Sequence, residues 1–323
     1  MNGKSDDGTQ LEQSSIKENP AEDAEKICSY LKIPHYTVDF TREFEKRVID
    51  DFIYKYKNCK TPNPCIECNR YLKFGQMYEM AKERGCDYIA TGHYAKIEYS
   101  KKYQQNVLKK SNSVKKDQSY VLYNINRELL DKIIFPLGEF KNKEEIRMIA
   151  RKHNLPVASK PDSEDLCFIP DGNYKKFLKE NSNIKGKEGN IVTKDGEILG
   201  KHTGLYKYTI GQRKGLGISY KVPLFVIGFD SQKNELIVGE ESELYRKDFI
   251  VDNTNWLVEN LEFPADVLVK TRYSSKEYPA KILNVEGFKK IKVEFYEPQK
   301  AITPGQSAVF YDEDVVLGGG KII

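Results

Sequence analysis

The sequence has 323 residues, 39% of them hydrophobic, which is enough to fill the cores of two or three domains and excludes a disordered chain. A net charge of +4, from 52 basic and 48 acidic residues, permits contact with a polyanion only where the basic residues cluster. No run approaches the roughly 20 apolar residues of a membrane span, the opening MNGKSDDGTQ lacks the apolar centre of a signal peptide, and six cysteines are too few for a disulfide scaffold. A cytoplasmic protein with no membrane partner is expected, its thiols buried, catalytic or metal-binding.

Residues 1–20 are polar without periodicity and read as a flexible arm. Ala21, Ala24, Ile27, Cys28 and Leu31 then recur at helical spacing, Pro34 stops the helix, and residues 36–40 suit a strand. Phe44, Val48, Phe52 and Tyr56 mark a second amphipathic helix, residues 58–64 a loop, 72–84 another helix and 87–91 a buried strand. Helical pattern returns over 119–134 and 142–153, the latter with Asn142 and Glu145 placed as a helix start. Helices alternating with short strands imply an α/β domain. From Gly189 onward short β-branched runs dominate, among them 225–229, 235–238, 267–271, 291–295 and 308–311, enough for two small β modules. A soft boundary falls near 249–253, before the single tryptophan, Trp256.

The segment 61–69, TPNPCIECN, delivers Cys65 and Cys68 on a proline-stiffened loop just ahead of a helix, where helix-terminal amides stabilise a thiolate. A C-x-x-C is ordinarily structural zinc, but zinc needs a second pair of ligands that this sequence lacks. A thioredoxin-like pair is disfavoured because a loop with two prolines precedes it. Cys86, after a glycine at a helix end, reads as a small buried thiol. Cys167, in SKPDSEDLCFIPDG, reads in isolation as a core cysteine at the start of a strand that follows a mobile loop.

ATGHYA ends the buried strand, and ligands of open α/β sheets bind beyond strand carboxyl ends, which places Gly92 and His93 near a substrate. Alone, His93 is equally a hydrogen-bonded structural histidine. Lys116, Asp117 and Gln118 open a helix and read equally as its solvated first turn. In KTRYSSKEYPAK, basic residues interleave with Tyr273 and Tyr278, a pattern suited to phosphate contact and base stacking but shared by any charged sheet face. GQRKGLG and LGGGK are turns in β structure, since neither matches a phosphate loop between strand and helix.

Taken in order, TPNPCIECN with Lys73 and Phe74, ATGHYA, KDQSYVLY, DLCFI, TIGQRKGLG, TPGQSAVFY and LGGG resemble the tRNA-specific 2-thiouridylases of the MnmA/TrmU type over nearly the whole chain. The resemblance implies an α/β N-terminal domain like the adenine nucleotide alpha hydrolases over 1–163, a small, mainly β central domain over 164–250 and a C-terminal β-barrel over 251–323. It implies ATP with magnesium as co-substrate, tRNA as partner, and a persulfide donor, either a cysteine desulfurase or a relay protein. Cys167 would carry the persulfide and Cys68 would be the partner nucleophile. Asn63, Pro64 and Cys65 would approach the target base, and Gly92 would touch ATP. His93, Lys116, Asp117, Gln118, Arg272, Tyr273 and Gln306 would meet tRNA.

Two departures shape these expectations. The family's opening strand and S-G-G-x-D-S phosphate loop have no counterpart here, so the first domain is expected to be truncated and the polypeptide to self-associate; the alternative is a tRNA-binding or sulfur-relay remnant without ATP chemistry. Cys65 stands where many members carry aspartate, so Cys65, Cys68 and Cys167 together could ligate an iron–sulfur cluster.

Overall fold

A computed structural model describes residues 20–155 and 166–323, so the arm expected over 1–20 lies almost wholly outside the described residues, as does the loop ahead of Cys167. Two compact units divide the chain: Met1–Asp39 with Arg147–Pro161, and Phe40–Ile146 with Asp162–Ile323. In the first, the helix Pro20–Leu31 forms as the periodicity requires, with Glu22 and Asp23 in its first turn, where carboxylates oppose the helix dipole. The strand expected over 36–40 does not form. A strand exists only with a neighbour to satisfy its amides, and no described strand pairs with this run.

The second unit opens with three helical stretches in unbroken succession, Thr41–Phe44, the π-helical Glu45–Ile49, and Asp50–Lys57. Val48, Phe52 and Tyr56, spaced by four, are buried. Strand β1 (Ile89–Ala90) leads into a hairpin of β2 (Ala95–Ser100) and β3 (Gln105–Lys110), and β4 (Ile133–Ile134) returns parallel to β1. The helix expected over 119–134 is confined to Ser119–Leu122 and a 3-10 turn, Arg127–Lys132. Tyr120 to Tyr123 are buried on every side, so no amphipathic stripe exists to propagate. Asn126, with extended backbone, restarts the chain by accepting a hydrogen bond from the Glu128 amide. At 142–145 the expected helix start forms, the Glu145 amide donating to Asn142 Oδ1 at 3.1 Å.

The helix Tyr174–Asn181 precedes a four-stranded sheet of β5 (Gly189–Thr193), β6 (Ile198–His202), β7 (Phe225–Asp230) and β8 (Glu235–Gly239), ordered β6-β5-β8-β7. The remaining strands, β9 (Tyr245–Trp256), β10 (Ala265–Lys270), β11 (Tyr278–Glu286), β12 (Lys290–Lys300), β13 (Ser307–Asp312) and β14 (Val315–Ile322), close into a barrel through the β13–β14 pairing. Its interior follows from alternation: along β12, Ile291, Val293 and Phe295 are buried while Lys290, Lys292 and Glu294 face outward. Each such apolar side chain contributes about 1.5–3 kcal/mol on burial. β9 runs without a break through 249–253, the segment where the sequence suggests a boundary. The hairpin β2–β3, not anticipated from the sequence, extends the barrel sheet where Lys109 pairs with Val315 of β14.

Candidate active site

The site is built where the barrel's last two strands grip the C-x-x-C loop. Asn63 is extended, Pro64 supplies the fixed φ of a first helical position, and Cys65 and Cys68 ride on the short helix Pro64–Cys68. The loop ahead of it is sewn to the turn before β13. The Thr61 amide donates to the Pro304 carbonyl at 3.0 Å, and Gln306 Nε2 donates to the carbonyls of Thr61 at 3.0 Å and Pro62 at 3.1 Å. Gly305 permits this approach: its φ is +91°, and a Cβ there would lie 2.7 Å from Lys60 Cβ and 2.8 Å from the Thr61 nitrogen.

Between the two cysteines, Glu67 is buried and meets Lys321 of β14 at 2.5 Å and Lys55 at 3.4 Å, Lys55 also reaching Asp51 at 2.5 Å. Burial alone would raise the Glu67 carboxyl, but the two ammonium groups outweigh it and hold the group below the ordinary carboxylate range. The C-x-x-C helix is thereby pinned to β14 on one side and to the helix Asp50–Lys57 on the other.

Cys68 passes directly into the π-helical Asn69–Gln76. Widening the turn brings positions five apart onto one face, so Lys73 lies on the thiol side. Its ammonium lies 3.5 Å from His93 Nε2, and His93 Nδ1 lies 2.7 Å from Thr91 Oγ1. The imidazole is buried beside Phe74 and Phe135; burial and the Lys73 charge push it down to about 3, so it is neutral near pH 7. A neutral ring accepting from Lys73 at Nε2 carries its proton on Nδ1 and donates it to Thr91.

Cys167 is not the start of a strand. It lies in a turn closed by the Ile169 amide donating to Leu166 O at 2.8 Å. The turn is held because Ile169 is buried and Phe168 meets Phe44, Phe52 and Phe177 edge-on, with ring centroids 5.2–5.7 Å apart. Cys65 and Cys167 are exposed and Cys68 is half-buried. The three thiols act on one another electrostatically: burial, then Cys167, push Cys65 upward, while burial, with Cys167 and Cys65, does the same to Cys68, and Lys73 opposes both. Among the described residues no group of three or more His, Cys, Asp or Glu side chains is placed to hold a metal ion. Cys86, expected to be buried, is exposed.

The remaining sequence candidates divide. Tyr273 lies at this site, its phenol feeling Asp117, Lys116 and Cys65, and Lys270 sits over both the Tyr120 and Tyr273 rings at 5.9 and 5.8 Å. Lys116 is exposed on the same side. Gly92 is exposed just beyond β1, and a Cβ there would meet only Leu137, at 3.6 Å. Others are occupied internally. Asp117 accepts from the Ser111 amide at 3.0 Å and Ser119 Oγ at 2.7 Å, and Gln118 exchanges two hydrogen bonds with the Tyr94 backbone. Arg272 donates to the carbonyls of Ile210 and Ala301 and to Thr303 Oγ1, and Pro64 is buried. Sequence reasoning missed Glu67, Lys55 and Lys321; the available signal was a glutamate placed between two cysteines on an otherwise apolar helix.

Three family models cover the chain: a tRNA methyl transferase HUP domain over residues 1–171, a tRNA methyl transferase PRC-barrel domain over 175–240, and an aminomethyltransferase β-barrel domain over 246–322. A tRNA-specific 2-thiouridylase MnmA of Caldicellulosiruptor saccharolyticus is 47% identical over 302 residues, 93% of this chain and 83% of that protein. The corresponding proteins of Clostridioides difficile and Acetivibrio thermocellus are 44% and 46% identical, over 98% and 93% of this chain and 88% and 84% of their own. The chain belongs to the tRNA-specific 2-thiouridylase family. The HUP, PRC-barrel and closed-barrel succession agrees with the α/β, central β and β-barrel order expected from the sequence.

Proposed function

We propose that the chain is a tRNA-uridine 2-sulfurtransferase that uses ATP and a persulfide to replace the C2 oxygen of the wobble uridine by sulfur. The observation that carries this reading is that Cys65, Cys68 and Cys167 lie within electrostatic reach of one another, with Lys73 acting on Cys65 and Cys68, and that Cys65 in turn neighbours Tyr273, over whose ring Lys270 sits. Exposed aromatics beside cations suit a single-stranded anticodon base and its phosphates.

A pyrimidine carbonyl oxygen leaves poorly until esterified, so the C2 oxygen attacks the α-phosphorus of ATP and pyrophosphate departs. The terminal sulfur of the Cys167 persulfide then adds to C2, and AMP leaves. The Cys68 thiolate attacks Cys167 Sγ, the electron pair of the broken S–S bond stays on the base as the thiocarbonyl, and a Cys68–Cys167 disulfide remains. Gly92, open beyond the end of β1, suits the nucleotide, with magnesium expected beside the phosphates. Asn63 and Cys65 would border the base, and Lys116, Tyr273 and Lys270 the RNA. His93 and Gln306 would support Lys73 and the cysteine loop from below. A cytoplasmic setting and a desulfurase or relay protein as sulfur donor follow from the same reading; no described helix is long and apolar enough to cross a membrane.

Incubation with ATP, magnesium, unmodified tRNA and a persulfide donor should yield 2-thiouridine by nucleoside mass spectrometry, and Cys68→Ser and Cys167→Ser should each abolish it. Product formation undiminished in Cys167→Ser would refute the assignment. Binding of tRNA with no product from the unaltered chain would instead favour a sulfur-relay role.

A further inference from the structure

The disulfide route leaves the third thiol unused, yet Cys65 is an exposed residue of the C-x-x-C helix and interacts electrostatically with each of the other two cysteines. It is the second residue of the helix Pro64–Cys68, three positions before Cys68. Helix rise and radius place such Cα atoms about 5 Å apart, inside the roughly 4.4–6.8 Å span that a disulfide bridges. Cys68 is half-buried and interacts electrostatically with both exposed cysteines, Cys65 and Cys167.

We propose that Cys65 is a resolving thiol that resets the enzyme after each transfer, an inference resting on the disulfide route above. The Cys65 thiolate attacks Cys68 Sγ of the Cys68–Cys167 disulfide, a Cys65–Cys68 bond forms, and Cys167 departs as thiolate and takes up the proton that Cys65 gave up. No net oxidation occurs in this exchange. Cys167 is freed for reloading with sulfur, and the oxidising equivalents move to the exposed end of the C-x-x-C, where an external dithiol reduces the bond with two electrons and two protons. Lys73 serves the step by stabilising the attacking thiolate against the burial and the Cys167 charge that disfavour it.

The test treats the reduced full chain with one equivalent of diamide, traps remaining thiols with N-ethylmaleimide and maps bonds by tryptic mass spectrometry. Cleavage after Lys60 and Arg70 puts Cys65 and Cys68 on one peptide and Cys167 on another. The unaltered chain should give mainly TPNPCIECNR lighter by two hydrogens, with loss of Cys65 alkylation, and Cys65→Ser should give the Cys68–Cys167 cross-link in its place. A dominant Cys68–Cys167 cross-link with alkylated Cys65 in the unaltered chain, or a Cys65–Cys167 cross-link, overturns the exchange and leaves the transfer route standing. Absence of any Cys68–Cys167 cross-link in Cys65→Ser overturns the transfer route, and the exchange with it.

Discussion

Replacing Lys321 by methionine removes the ammonium 2.5 Å from Glu67 while keeping most of the volume of the side chain. The two side chains are 20% and 9% exposed, so the contact falls between a surface pair, worth about 0–1 kcal/mol, and a buried one, whose one-sided removal costs about 3–5 kcal/mol. Lys55 still faces the carboxylate at 3.4 Å and limits the damage. A loss of about 2 kcal/mol is expected, which for a unit of this size lowers Tm by about 4–8 °C, read by circular dichroism. Glu67→Gln with Lys321→Met together should recover much of it, because no buried charge is left alone. The carboxyl is held below its unfolded value, so its contribution is present above the unfolded glutamate pKa and fades as pH falls through the folded one; the Tm difference should therefore shrink in acid. A Lys321→Met chain that melts within about 1 °C of the parent at pH 7, less than the shift from 0.5 kcal/mol, would refute the claim that this contact anchors the cysteine helix.

His93 is pushed down to about 3 when folded against about 6.5 when unfolded, so only the unfolded chain takes up its proton between these values; stability should fall by about 1.4 kcal/mol for each unit that the pH drops through that window, and His93→Gln should flatten that limb of the stability–pH curve. Gln306→Ala deletes two hydrogen bonds to the loop, about 1–3 kcal/mol in sum, and should lower 2-thiouridine formation far more than tRNA affinity in a filter-binding assay; the reverse pattern would make Gln306 a direct RNA contact. Phe168→Ala removes three edge-on ring contacts and should cost about 2–4 kcal/mol while accelerating alkylation of Cys167, the thiol that its ring anchors. Raising salt should weaken tRNA binding, with a shallower log–log slope for Lys116→Ala than for the parent.

Local signals wrote much of this site plainly. The prolines and cysteines of TPNPCIECN announced a stiff thiol loop, and the β-branched run 291–295 announced a strand, its place in a barrel coming from the family resemblance. Legibility failed where a segment's state is decided by distant neighbours. Residues 36–40 have strand chemistry but no described partner strand, whereas 95–110 look unremarkable and become a hairpin because β14 offers an edge. Tyr120 to Tyr123 read as helix because an all-round buried run and a helical stripe share the same residue types. Glu67 was missed for a related reason: its place between two cysteines on an otherwise apolar helix was a local signal, but its partner Lys321 is 254 positions away. The resemblance implied that Gln306 meets tRNA, but its amide is spent on Thr61 and Pro62.

The stitching of residues 60–67 to residues 304–321 also has a consequence in time. A ribosome makes the cysteine loop early and the strands that seat it last, so Cys65 and Cys68 are already in the growing chain before Gln306 and Lys321 exist. Until β14 is translated and closes against β13, the cysteine loop lacks the Gln306 hydrogen bonds and the Lys321 contact to Glu67, and a nascent or C-terminally clipped chain carries Cys65 and Cys68 on a loop not yet seated.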